Sequence, residues 1–207
     1  MKDKKSSEEI IRSIASDEIK EITGEVSEAI LDENLTDGIF KELPVFGLVF
    51  KSISAFQKIN DYFYLKKIEK FLFELKDIAE GERLKFIAEK DAKNELGRIG
   101  ENVLFLLGQT DQIEKSSVIG KIFRGFVLGE IDFDTYQRIS IGINKVYYKD
   151  LTHLKNYRDN MLDPDIKTSL LNAGFLAIIK VYNINFGGEG NVRYRSTKIG
   201  EIIVNYI

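Results

Sequence analysis

Cysteine and tryptophan are absent from this 207-residue chain, histidine occurs once and proline twice. Without cysteine there is no disulfide, no thiolate zinc site and no cysteine nucleophile. A single histidine excludes a His-rich metal centre. Two prolines argue against a loop-rich all-β chain. The longest uncharged apolar run, Leu43 to Phe50, has eight residues, far from the roughly 18–20 of a membrane-spanning helix. The N-terminus opens with basic residues but no apolar run follows them, so it does not read as a signal peptide. A cytoplasmic protein is the expectation. Charge of one sign is also missing: 30 basic and 33 acidic side chains give a net charge of -3, which argues against a strongly basic nucleic-acid binder.

What is present is a globular composition, 43% hydrophobic and 30% charged, with enough length to bury a core. The richness in Lys, Ile and Asn suggests an AT-rich bacterial genome. Charge is unevenly spread. Residues 1–43 carry 6 basic and 12 acidic side chains, whereas residues 44–76 carry 6 basic and 3 acidic. An acidic amphipathic helix lying over a basic, aromatic-rich segment is expected. The other reading is a basic surface uncovered when the acidic arm moves.

Ser6 and Glu9 form a capping box, and Ala15, Ile19, Ile22, Val26 and Ala29 make one apolar stripe on a helix to about Asp32. Pro44 sits at the start of a further element. Asn60-Asp61 separates it from a helix over about 61–79, with Leu65, Ile68, Leu72 and Leu75 on one face and Lys66, Lys67 and Lys70 opposite. A helix from about Glu82 to Leu107, kinked between Gly97 and Gly100, follows. The next is capped by Thr110 or Asp111, buries Ile119, Ile122, Phe123 and Phe126, and stops near Gly129. Asp134 with Gln137 opens a helix to about Tyr157, with Tyr136, Ile139, Ile143, Val146, Leu151 and Leu154 inside. After Pro164 the pattern changes to a short helix over about 165–172, a strand over 175–184, a glycine loop, a strand over 192–196 and a helix capped by Thr197. The fold class expected is mainly α: a bundle of about six helices with a small C-terminal α+β, winged-helix-like unit of helix, β-hairpin and helix. The organisation expected is an N-terminal helix over 1–33, a bundle over 34–160 and the C-terminal unit over 165–207.

No catalytic constellation emerges. His153 stands alone near a helix end, where a cation suits the helix dipole. Gly187, Gly188 and Gly190 lie between two strands and read as a hairpin loop, not a phosphate loop. Asp163-Pro164-Asp165-Ile166-Lys167 resembles a nuclease-like acidic motif but has no second acidic residue on a central strand. Gly120, Gly125 and Gly129 each cost helix stability, which points to close backbone packing or to a helix that bends. No metal or cofactor is expected, and no enzyme.

The binding candidates are two. Between Leu43 and Lys76 eight aromatics mix with six lysines, a composition that serves as a core hairpin with lysine stems over it, as a protein-binding surface, or as a surface for an anionic membrane. Its candidate contact residues are Phe46, Phe50, Lys51, Lys58, Lys66, Lys67 and Lys70. In the C-terminal unit, Lys180, Arg193, Arg195 and Lys198 place positive charge on the wing, where phosphate contacts would give salt-sensitive nucleic-acid binding.

Leu31-Asp32, Leu35, Asp37-Gly38, Lys41, Pro44, Gly47, Lys51, Asp61, Lys66-Lys67 and Phe71-Leu72 together resemble a family of bacterial helical proteins. The ending, Leu170 to Leu176 with Tyr194 to Gly200, is similar to that of the abortive-infection alpha proteins associated with phage defence. The resemblance spans about residues 25–80 and 165–207. It implies a mostly helical bacterial protein tied to phage defence and supplies no active-site residue. The function expected is non-enzymatic protein–protein contact or self-association. The alternatives are a winged-helix nucleic-acid regulator and a membrane-surface effector acting through 43–76.

Overall fold

The computed structural model describes residues 2–22, 58–155, 157, 162–180 and 192–207. It is mainly helical, with one two-stranded antiparallel hairpin near the C-terminus. The chain forms two compact units, Met1–Asp132 and Phe133–Ile207. Helix 133–145, read above as part of the bundle, therefore belongs to the second unit.

In the first unit, helix α1 (Lys2–Ala15) buries Ser7, Ile10, Ile11, Ser13 and Ile14, the i, i+3, i+4, i+7 face of an amphipathic helix. It begins four residues before Ser6, so Ser6 is interior and not a cap. It also ends at Ala15, well short of Asp32. A 3-10 turn, Asp17–Glu21, follows and keeps Ile19 and Ile22 buried; Val26 and Ala29 lie outside the described residues. Ser16 turns the chain here by donating its hydroxyl to Glu18. The buried Arg83 guanidinium donates to the carbonyls of Ile14 (2.8 Å) and Ser16 (2.9 Å). A cation at the orphan carbonyls of a helix C-terminus meets both their hydrogen-bonding need and the helix dipole.

Helix α2 (Lys58–Phe73) runs through Asn60 and Asp61 without a break. It buries Leu65, Ile68, Phe71 and Leu72, and Leu75 follows in the next turn. Helices α3 (Glu80–Ala92) and α4 (Leu96–Gln109) replace the single kinked helix expected. The break is at Asn94, whose φ of 55° is the left-handed conformation that asparagine tolerates and that ends helices. Gly97 and Gly100 sit inside α4. A Cβ at Gly100 would stand 1.7 Å from the Ser7 carbonyl oxygen, so glycine here is what lets α1 lie directly on α4. Helix α5 (Ile113–Val127) starts from Gln112, not from a Thr110 or Asp111 cap; Thr110 instead donates back to the Leu107 carbonyl (2.9 Å). It packs along α2, with Gly120 against the Phe71 carbonyl (2.6 Å for an added Cβ), and it ends at Gly129, φ 74°. Edge-to-face contacts link Phe71, Phe123, Phe86 and Phe126 at 5.2–6.1 Å, joining α2, α3 and α5 in one aromatic core.

The acidic surplus of residues 1–43 does not lie in α1, which carries four basic and three acidic side chains, and residues 23–57 lie outside the described residues. Among the described residues α1 packs chiefly on α4 and α3. Its apolar stripe matches those helices, and hydrophobic burial outweighs pairing of exposed charges.

In the second unit, helix α6 (Phe133–Lys145) opens one residue before Asp134. Asp134 is thus not a cap but an ion-pair partner of Arg138 (2.8 Å) within the first turn. The helix stops at Lys145, and a 3-10 segment, Tyr148–Leu154, carries the same apolar stripe onward: Tyr136, Ile139, Ile143, Val146, Leu151 and Leu154 are all buried. Helix α7 (Pro164–Asn172) is capped by Asp163, which accepts from the Asp165 amide at 2.8 Å. Strands β1 (Leu176–Lys180) and β2 (Val192–Ser196) pair with Leu176 opposite Ser196. Helix α8 (Lys198–Ile203) is capped by Thr197, whose hydroxyl accepts from the Gly200 amide (3.1 Å) and donates to the Gly174 carbonyl (2.7 Å). Phe175 fills the centre, fully buried between the glycine positions of α6 and α8.

Two measurements check this packing. Gly100→Ala should destabilise the chain by about 3 kcal/mol, since the new methyl meets backbone. Gly81→Ala, in open space on α3, should be neutral or stabilising by about 0.5 kcal/mol; urea unfolding of both distinguishes them. Arg83→Met should cost about 3 kcal/mol by leaving buried carbonyls unpaired, read by the same unfolding curves.

Candidate interaction surfaces

Of the expected contact residues on the aromatic–lysine segment, Phe46, Phe50 and Lys51 lie outside the described residues, and Lys58 is placed in α2 by its backbone alone. The rest of the segment folds inward as well as outward. Phe71 is fully buried and Tyr64 donates to the Leu104 carbonyl (3.2 Å); burial pushes the Tyr64 phenol up to about 12. The half-buried Lys66 stands 4.7 Å over the Tyr62 ring, a cation–π contact. Lys70 is also half-buried. Phe63, on the outer face of α2, is 45% exposed.

Lys67 reaches across to the loop before α5 and donates to the Thr110 carbonyl at 2.6 Å. The next residue, Asp111, pairs with Lys115 at 2.6 Å, the ammonium being 1% and the carboxylate 65% exposed. Burial lowers the Lys67 pKa, an effect opposed by the Asp111 charge. Burial would raise Asp111, but the hydrogen bond and charge of Lys115 outweigh it and hold the carboxyl below its ordinary value. Thr110 lies beside Ser116, hydroxyl to hydroxyl at 3.4 Å. Lys67 thus pins the α4–α5 loop to α2, and the Lys115–Asp111 pair fastens the same loop to α5. Chemically this is a staple: each cation already has an oxygen, and the arrangement presents no unengaged base or nucleophile.

Glu69 has a different environment. Its side chain is fully buried on α2 and neither carboxylate oxygen has a partner among the described residues. Burial pushes its pKa up to about 7, against the smaller opposing effects of Lys70 and Lys66.

Of the other sequence candidates, His153 is exposed in the last turn of the 3-10 segment. Asp163 and Asp165 are the cap and first turn of α7. Among the described residues no group of three His, Asp or Glu side chains is placed to hold an ion. No helix among them is long and apolar enough to cross a membrane.

Surface apolar groups are the features that residue typing missed. Phe105, on α4, is 63% exposed. Its helix buries Leu96, Ile99, Val103 and Leu107 on one side, and at 100° per residue Phe105 falls opposite them. Arg98, Glu101 and Gln109 surround it on that face. In the second unit Ile141 (44%), on the outer face of α6, Tyr147 (50%), Ile178 (49%) and Ile179 (40%) are likewise exposed. The helical period of α4 already places Phe105 out of phase, the one signal that pointed to it. On the hairpin, Arg193 and Arg195 are exposed, as is Lys198 on α8; the Lys180 side chain lies outside the described residues.

Glu69 gives a pH prediction with a definite sign. Below its ordinary pKa of 4.5 it is protonated folded and unfolded, and no ionisation cost arises. As pH rises from there to about 7 the unfolded chain ionises first, so stability falls, by about 3 kcal/mol in all, and the loss is constant above. The stability difference between wild type and Glu69→Gln, followed by urea unfolding from acid to neutral pH, should show that fall. No family model, curated protein or solved structure matches the chain.

Proposed function

We propose that this protein acts without chemistry of its own, through contact with a protein partner in the bacterial cytoplasm, and that its setting is defence against phage. The observation that carries the contact reading is Phe105. Phe105, 63% exposed at the middle of an otherwise polar helix face, keeps apolar surface in water at a free-energy cost that a covering partner relieves. Aromatic side chains of this kind are the common anchors of protein interfaces. The convergent polar groups support the same reading, since Lys67, Lys115 and Asp111 are engaged with one another and with backbone. The phage-defence setting rests on the resemblance of residues 25–80 and 165–207 alone.

A photo-crosslinking side chain placed at position 105 in living bacteria tests the contact. The expected result is a discrete protein adduct, absent when the probe is moved to Gln109. Phe105→Asp should abolish co-purification of that protein and change unfolding stability by no more than about 0.5 kcal/mol. The same diffuse adducts from both positions would overturn the reading.

A further inference from the structure

The hairpin of the second unit has two unlike faces. The register pairs Ala177 with Arg195 and Ile179 with Arg193 on one face, and Leu176 with Ser196 and Ile178 with Tyr194 on the other. The second face is covered in part: Leu176 is 2% exposed and Lys167 of α7 stands 5.6 Å over the Tyr194 ring, while Ile178 between them is 49% exposed. The first face turns away from α7. Arg193 and Arg195 are both exposed there, and among the described residues neither has an ion-pair or hydrogen-bond partner. Exposed Lys198 follows two residues after the strand. The unit as a whole carries 10 basic and 7 acidic side chains, a net +3, although the chain as a whole is at -3.

We propose that this face, Arg193 and Arg195 with Ala177 and Ile179 between them and the sheet edge, binds the phosphate backbone of a nucleic-acid duplex. This goes beyond the contact reading above and does not depend on it. Alternate strand residues stand about 6.8 Å apart, so the two guanidiniums form a fixed pair that can meet neighbouring phosphates of one strand. Arginine is the side chain whose planar donor fork fits phosphate oxygens. Among the described residues the face carries no aromatic ring, since Tyr194 points to the other side, so they offer no platform for stacking unpaired bases. Backbone contact without base readout follows. A lipid headgroup presents the same phosphate chemistry, but among the described residues the face has a single large apolar side chain, Ile179, to enter a bilayer.

The test uses the full chain and a labelled duplex of mixed sequence, read by fluorescence anisotropy. Wild type should bind at about 50 mM salt and lose affinity steeply by about 200 mM. Arg193→Ala/Arg195→Ala should bind roughly tenfold more weakly at low salt, with a log–log salt slope shallower by about two. Arg193→Lys/Arg195→Lys should keep most of the affinity, and circular-dichroism melting should show both variants folded. The proposal is overturned if wild type does not bind at low salt, if the alanine pair binds as wild type does, or if the lysine pair is as weak as the alanine pair. It is also overturned if phosphatidylglycerol vesicles or polyglutamate capture the protein through these arginines while the duplex does not.

Discussion

A guanidinium with no access to solvent holds the first unit together. Arg83 comes from α3, far from α1 in sequence, and closes the last carbonyls of α1 from below. Where it binds, the helix ends and the 3-10 turn begins, which returns Ile19 and Ile22 to the core. That contact also sets the distance between α1 and α3, so α1 meets α4 at the level of Gly100, where no side chain stands in its way. Both bonds come from one nitrogen, Nη1, whose two hydrogens go to the two carbonyls.

The same economy of backbone contact runs through both units. Gly120 lets α5 approach the α2 backbone, and the second unit wraps Phe175 with the backbones of α6 and α8. Polar groups that enter these interiors are tied to specific oxygens: Lys67 to the Thr110 carbonyl, Lys115 to Asp111, Thr197 to Gly174. Glu69 departs from this: neither oxygen of its carboxyl has a partner among the described residues, and Arg83 Nε and Nη2 are likewise without one. Buried ionisable groups are tolerated only in the neutral form or when paired, which is why burial moves the Glu69 pKa so far.

Much of the architecture was legible in the sequence because it rests on local periodicity. The apolar stripes of α2, α5 and α6, the Pro164 start, the Val192–Ser196 strand and the Thr197 cap all follow from spacing and capping chemistry. What was not legible depends on partners distant in sequence. No pattern around Ser16 announces that Arg83 will end the helix there, and the glycines of α4 suggest a kink until α1 is seen resting on them. Asn94, not glycine, supplies the left-handed residue between α3 and α4. The surfaces follow the same rule. Phe105 was visible only as an aromatic out of phase, whereas the shared face of Arg193 and Arg195 was implied by strand alternation once the hairpin was recognised.

The seat of α1 on α4 has a consequence for the order in which the chain takes shape. Ser7 leaves the ribosome long before Gly100, so the isoleucine face of α1 has nothing to rest on while the next several elements are made. Local contacts such as the α3–α4 turn form first, and those joining distant segments are slower. During synthesis Ile10, Ile11 and Ile14 are therefore a transient apolar stripe on the nascent chain, where a chaperone would find them. Within the first unit, α1 is made well before the helix it rests on.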